Sequence, residues 1–134
     1  MWGIFEKTFK IARAALKLRS YKQELIASNI ANVDTPGYRS KDIPFEKVMQ
    51  AYLSNGGDIP LKTTSPKHIK GNSFSNLSSL AKAYESKTLG TPNNVSLERE
   101  ITELTQNQVL YEATLQALAK EIERLKEAIT EGGR

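Results

Sequence analysis

One pattern constrains this chain more than any other: from Leu97 to Ile129, apolar side chains recur at alternating steps of four and three. The run is Leu97, Ile101, Leu104, Gln108, Tyr111, Leu115, Leu118, Ile122, Leu125 and Ile129, with Gln108 its one polar member. A heptad repeat sustained this long predicts a long helix whose seam packs on another helix. Ile101, Leu115, Ile122 and Ile129 occupy the a positions, and Leu97, Leu104, Leu118 and Leu125 the d positions. Gln108 falls at an a position, where one polar group can set register. Asn93, Asn94 and Ser96 offer capping oxygens at the start, and Gly132-Gly133 marks the stop.

The other end of the chain supplies a matching element. Residues 2–31 read as a second helix carrying two apolar stripes. One holds Ile4, Ile11, Leu18 and Leu25 at intervals of seven, filled in by Thr8 and Ala15. The other holds Phe5, Phe9, Ala12, Leu16, Ile26 and Ile30. Neighbouring residues stand about 100° apart around a helix, so the stripes face different partners. The expected fold is mainly α: long N- and C-terminal helices pairing as a coiled-coil-like bundle. Residues 1–32 form the first helix, 33–95 a signature turn, short helix and loop region, and 96–131 the heptad helix, together one structural domain.

Between the helices the sequence is rich in breakers. Asp34-Thr35-Pro36-Gly37 reads as a turn, with Pro fixing its own φ and the following Gly supplying positive φ. Phe45, Val48, Met49, Tyr52 and Leu53 follow Pro44 at helical spacing, which predicts a short amphipathic helix over 45–53. From Ile59 to Asn94 no period is sustained, leaving loops, one short hairpin or partial disorder open.

Charge separates the ends. Net charge is +4, but the first 32 residues hold six basic and two acidic side chains, whereas residues 96–134 hold five basic and eight acidic. Segments of opposite sign attract each other or their counterparts in neighbouring copies. A nucleic-acid-binding module would explain the basic excess but not the acidic C-terminal helix. The terminal helices are expected to be frayed in a dilute monomer and to form fully among several copies.

No catalytic constellation stands out, and no cofactor or small-molecule substrate is expected. The chain has no cysteine, which removes disulfides, thiolate metal sites and a thiol nucleophile together. His68, the one histidine, lies beside Pro66 in a polar loop with no second histidine to join it. Glu121, Glu123 and Glu127 among Lys120, Arg124 and Lys126 read as a solvated, salt-bridged face. Trp2, Phe5 and Phe9 with Lys7, Lys10 and Arg13 would suit an interfacial membrane helix, but the two long stripes favour a helix–helix interface. The first residues lack a basic region followed by an apolar run, so no cleaved leader is expected.

The segment Ser28-Asn29-Ile30-Ala31-Asn32-Val33-Asp34-Thr35-Pro36-Gly37-Tyr38 resembles the signature that follows the first helix in the flagellar rod and hook protein family. The pattern falls on Ala31, Asn32, Thr35, Gly37 and Tyr38. Arg39 to Phe45, Thr63 to Ile69, and Asn93 to Glu100 with Asn107 and Tyr111 are similar to later blocks of the proximal-rod branch, in the same order. The resemblance implies a structural subunit exported without a cleaved signal peptide through the flagellar type III apparatus. It implies assembly into the periplasm-spanning rod of the basal body, with copies of itself and other rod proteins as partners. The residues that would carry this are the signature turn (Asn29, Ala31, Asn32, Thr35, Pro36, Gly37, Tyr38) and the packing positions Ile4, Phe5, Phe9, Ile11, Leu18, Leu25, Leu97, Ile101, Leu104, Tyr111, Leu115, Leu118, Ile122, Leu125 and Ile129. A free-standing coiled-coil adaptor would explain the heptads but not the signature.

Overall fold

A computed structural model describes residues 2–54, 73–87 and 95–132. His68 and the Thr63–Ile69 block lie outside them. The terminal helices are α1 (Trp2–Ala31) and α4 (Leu97–Gly132), of 30 and 36 residues. Leu, Ala, Glu, Lys and Gln dominate α4, all strong helix formers, and Glu98 and Glu100 stand at its positive end. At a rise of ~1.5 Å per residue α4 is about 54 Å long. Thr102, Thr105, Thr114 and Thr130 donate their hydroxyls to carbonyls four residues back, so these polar side chains are satisfied within the helix. Among the described residues no helix is long and apolar enough to cross a membrane.

The two helices run antiparallel. Asn29 of α1 meets Glu100 of α4, Lys22 meets Glu103, and Arg19 meets Asn107, so numbering falls on one helix as it climbs on the other. The smaller elements gather on a different flank of α1. Strand β1 (Lys41–Asp42) follows the turn, α2 (Phe45–Ser54) starts just after Pro44, and α3 (Ser73–Tyr84) leads into β2 (Ser86–Lys87). β1 and β2 pair antiparallel, Lys41 opposite Lys87 and Asp42 opposite Ser86.

The predicted helix over 45–53 is α2, one residue longer. Helix α3 is a departure from the aperiodic stretch expected between Ile59 and Asn94. Four serines within Ser73–Tyr84 dilute its apolar content, yet Leu77 and Ala81, four apart, are both buried. That spacing, continued in the sequence by Phe74 and Tyr84 at steps of three, was its local signal.

The core is small and sits where α1 meets the middle elements. Ala14, Leu18 and Leu25 of α1 pack with Ile43, with Val48, Met49 and Tyr52 of α2, and with Leu77 and Ala81 of α3. Ile11, Ala15, Tyr21, Phe45 and Leu80 close its margin. The first stripe of α1 therefore serves this core, while its first member, Ile4, is 71% exposed. The second stripe lies on the face that meets α4, where Arg19 and Gln23 share its spacing and Ile26 is buried.

Candidate assembly interface and helix-exit clasp

The exit from α1 is built around one buried amide. Asn29 is 2% exposed and uses every hydrogen-bonding position it has. Its Nδ2 donates to the carbonyl of Lys41 at 2.9 Å and to Glu100 Oε2 at 3.1 Å. Its Oδ1 accepts from the Lys41 backbone N–H at 2.9 Å and from the Tyr38 hydroxyl at 3.0 Å. One side chain thus ties the end of α1 to the returning chain and to the first turn of α4. A carboxylate or an apolar group could supply only part of this set.

The turn brings those partners back. Asn32 Nδ2 donates to the carbonyl of Ser28, capping the helix end, and Thr35 Oγ1 donates to Asn32 Oδ1. The Tyr38 N–H closes a turn onto the Thr35 carbonyl at 3.2 Å, with Pro36 second and Gly37 third. Gly37 has φ +76°, the left-handed region that such a turn requires at its third position and that side chains resist. Ala31 and Pro36 are exposed. Tyr38 also shares a hydrogen bond with Ser28 at 3.2 Å.

Charged groups flank the clasp. Lys22 of α1 lies 3.7 Å from Asp42 of β1 and 3.4 Å from Glu103 of α4, linking three elements. Lys41 lies 3.5 Å from Glu85, which also accepts a 2.7 Å bond from the Tyr21 hydroxyl. Burial, reinforced by that bond to Glu85, pushes the Tyr21 phenol up to about 12.

Glu100 is buried at the foot of α4. Burial pushes its carboxyl above the ordinary 4.5; the Asn29 amide pulls the other way, Glu103 pushes further, Arg99 opposes and Asp42 adds. The native state therefore holds this proton more tightly than the unfolded chain does. The resulting stability is full below the unfolded value and is lost as pH rises through the native one. Replacing Glu100→Gln keeps an acceptor for Asn29 and removes the charge. The variant is expected to melt no lower than the parent near neutrality and to lose this part of the pH dependence, as thermal melts between about pH 4 and 7 would record. An unchanged pH slope would overturn the assignment.

The heptad helix meets α1 with a face rotated from the one its seam suggests. Leu104, Tyr111, Leu118 and Leu125 are half-buried, and so are Thr114 and Glu121, on the same line as the buried Glu100 and Asn107. The covered face joins the d line to the residues just before each a position. The a line stays outside: Ile101, Leu115 and Ile122 are exposed, Ile129 is 64% exposed, and Leu97 is exposed too. On α1, Phe5, Phe9 and Ile11 are half-buried, and Leu18 and Leu25 are buried. Gln108, the expected polar seam residue, is exposed and donates to Glu112 of its own helix. The buried polar position is the adjacent Asn107. Polar residues at 100, 107, 114 and 121 occupy a line that an apolar count passes over; their regular spacing of seven was the available sign.

The long antiparallel pair, the exit turn and the outward apolar line leave apolar surface uncovered in the single chain. A family model described as Flagella basal body rod protein matches residues 9–39, which cover most of α1 and the turn. The flagellar basal body rod protein FlgB of Aeromonas hydrophila is 33% identical over 126 residues, 93% of this chain and 94% of that protein. FlgB of Salmonella typhimurium is 31% identical over 133 residues, 95% and 96% of the two chains. FlgB of Bacillus subtilis is 29% identical over 130 residues, 97% and 98%. With identity of this level running from one end to the other, the chain belongs to the FlgB family of flagellar basal body rod proteins.

Proposed function

We propose that this protein, a component of the flagellar basal body rod, self-assembles through its terminal helices in the proximal rod and transmits torque across the periplasm. Its role is structural and no catalytic step belongs to it. The observation that carries this reading is the outward line Leu97, Ile101, Leu115, Ile122 and Ile129, apolar and exposed along one side of α4. The line falls into two exposed apolar runs, Leu97 with Ile101 and Leu115 with Ile122 and Ile129, on either side of Gln108, and exposed apolar surface of this extent marks a protein contact. The basic first helix and acidic last helix favour contact between copies, since each copy offers both signs.

The three stretches 1–32, 33–95 and 96–131 act as one structural domain in this reading. The terminal helices form the inner layer, and the middle stretch meets adjacent rod subunits outside. Partners are copies of the chain, other rod and basal-body proteins, and the export apparatus.

The test uses side chains that are exposed in the single chain. The double substitution Ile101→Glu with Ile122→Glu is expected to leave the melt of the dilute protein within about 0.5 kcal/mol of the parent. The parent's helicity should rise with concentration by circular dichroism, and the variant's should stay flat. Motility is lost, and the subunit is missing from detergent-extracted basal bodies. Normal swimming with the variant present in those extracts overturns the proposal.

A further inference from the structure

The second stripe of α1 runs Phe5, Phe9, Ala12, Leu16, Arg19, Gln23, Ile26, Ile30 on steps of four and three, with Arg19 and Gln23 its two polar members. Opposite them stands Asn107, 2% exposed in the middle of α4. Its Nδ2 donates to the Arg19 backbone carbonyl at 2.9 Å and to Gln23 Oε1 at 3.1 Å, and its Oδ1 accepts from Arg19 Nη1 at 3.4 Å. Every bonding group of the buried amide is met, and met by the one place on that stripe able to do so.

Both helices repeat every seven residues, so the competing arrangement is a slip of one heptad, which would keep apolar lines in contact. A slip in one direction sets Asn107 against Ala12 and Leu16; in the other, against Ile26 and Ile30. Either removes both side-chain partners of the buried amide, leaving it at most a main-chain carbonyl, and moves Arg19 and Gln23 to Glu100 in one slip or Thr114 in the other. A single buried asparagine is known to select one register among apolar alternatives at some cost in stability.

We infer that Asn107, read by Arg19 and Gln23, is the positioning residue that sets the register of α1 against α4. It is a specificity device: apolar packing holds the helices together, and this node, in register with the Asn29–Glu100 contact, decides where. The register in turn determines which apolar residues stay outside, and the consequence for assembly rests on the proposed rod function.

The absence of cysteine allows clean labelling. Spin labels on Glu24→Cys and Lys120→Cys, both exposed positions, are offset along the axis by about 25 Å in this pairing. The parent chain is expected to give one distance by pulsed electron paramagnetic resonance. Asn107→Leu is expected to add a second population, shifted along the axis by about 10 Å, the rise of seven residues. It is expected to melt no lower than the parent, which a merely structural asparagine would not allow. Gln23→Leu, which alters the node from the other helix, should add the same population. Gln108→Leu, equally apolar but outside the node, should not. A single unchanged distance in both Asn107→Leu and Gln23→Leu overturns the inference, as does a second distance in Gln108→Leu. A slipped register with normal motility would uphold it and count against the assembly reading instead.

Discussion

Substituting Asn29→Ala is expected to cost about 3–5 kcal/mol of stability, the largest effect of any single side chain in the helix exit. The reason is the number of groups it leaves behind. The Lys41 N–H and carbonyl, the Tyr38 hydroxyl and the buried Glu100 carboxylate all lose a partner at once. An unmet buried polar group costs roughly 1–3 kcal/mol, and solvent entering the gap recovers part of the sum. Asn29→Asp is a sharper probe. It keeps the two accepting contacts but sets a second carboxylate against Glu100, and two adjacent carboxylates resist ionising together. This variant should be badly destabilised at neutral pH and recover as pH falls, when one of the pair takes a proton. Urea melts at neutral and acid pH read both results. A loss below about 1 kcal/mol for the alanine variant, within the ordinary surface range, would remove Asn29 from its place as the clasp.

Deleting residues 120–134 is expected to abolish swimming altogether. The lost segment carries Ile122 and Ile129 on the exposed line and Leu125 on the covered face. Burying one such side chain contributes about 1.5–3 kcal/mol, so the loss to the isolated chain is modest. The clasp at Asn29, the node at Asn107 and the core around Leu18 and Val48 all lie outside the deletion. The shortened protein should therefore still fold around its middle, with fewer helical residues, while failing to enter the rod. Swim plates, with circular dichroism of the purified protein, separate assembly failure from misfolding. Motile cells would defeat the proposal that the terminal helices build the rod.

Much of this architecture was legible because helices announce themselves through local spacing. The heptads from Leu97 to Ile129 and the paired stripes from Ile4 to Ile30 predict two long elements, and Pro36-Gly37 predicts the turn. Helix α3 escaped because four serines dilute its apolar residues and its burial depends on α1 and α2, elements distant in sequence. The clasp was legible in part: the signature names Asn29 and Tyr38, nine residues apart, but the partners Lys41 and Glu100 lie 12 and 71 residues from Asn29, and no local pattern reports them. Periodicity also locates an apolar line without saying which side of it is covered. The rotation of α4 is decided by the polar residues at 100 and 107 finding Asn29, Arg19 and Gln23, so the a line is left facing outward.

Arg19 has one more geometric consequence. Its guanidinium carbon lies 3.7 Å from the ring centroid of Phe45 in α2, while the same group donates to Asn107 of α4. Such a cation over an aromatic face contributes roughly 0.5–2 kcal/mol, and burial lowers the guanidinium pKa without making it neutral at physiological pH. A single side chain therefore bridges the outer elements and the far helix through α1. Force applied to α2 reaches α4 at two levels, through Arg19 at Asn107 near its middle and through Lys41 and Asn29 at Glu100 in its first turn, so the load is shared along the long helix.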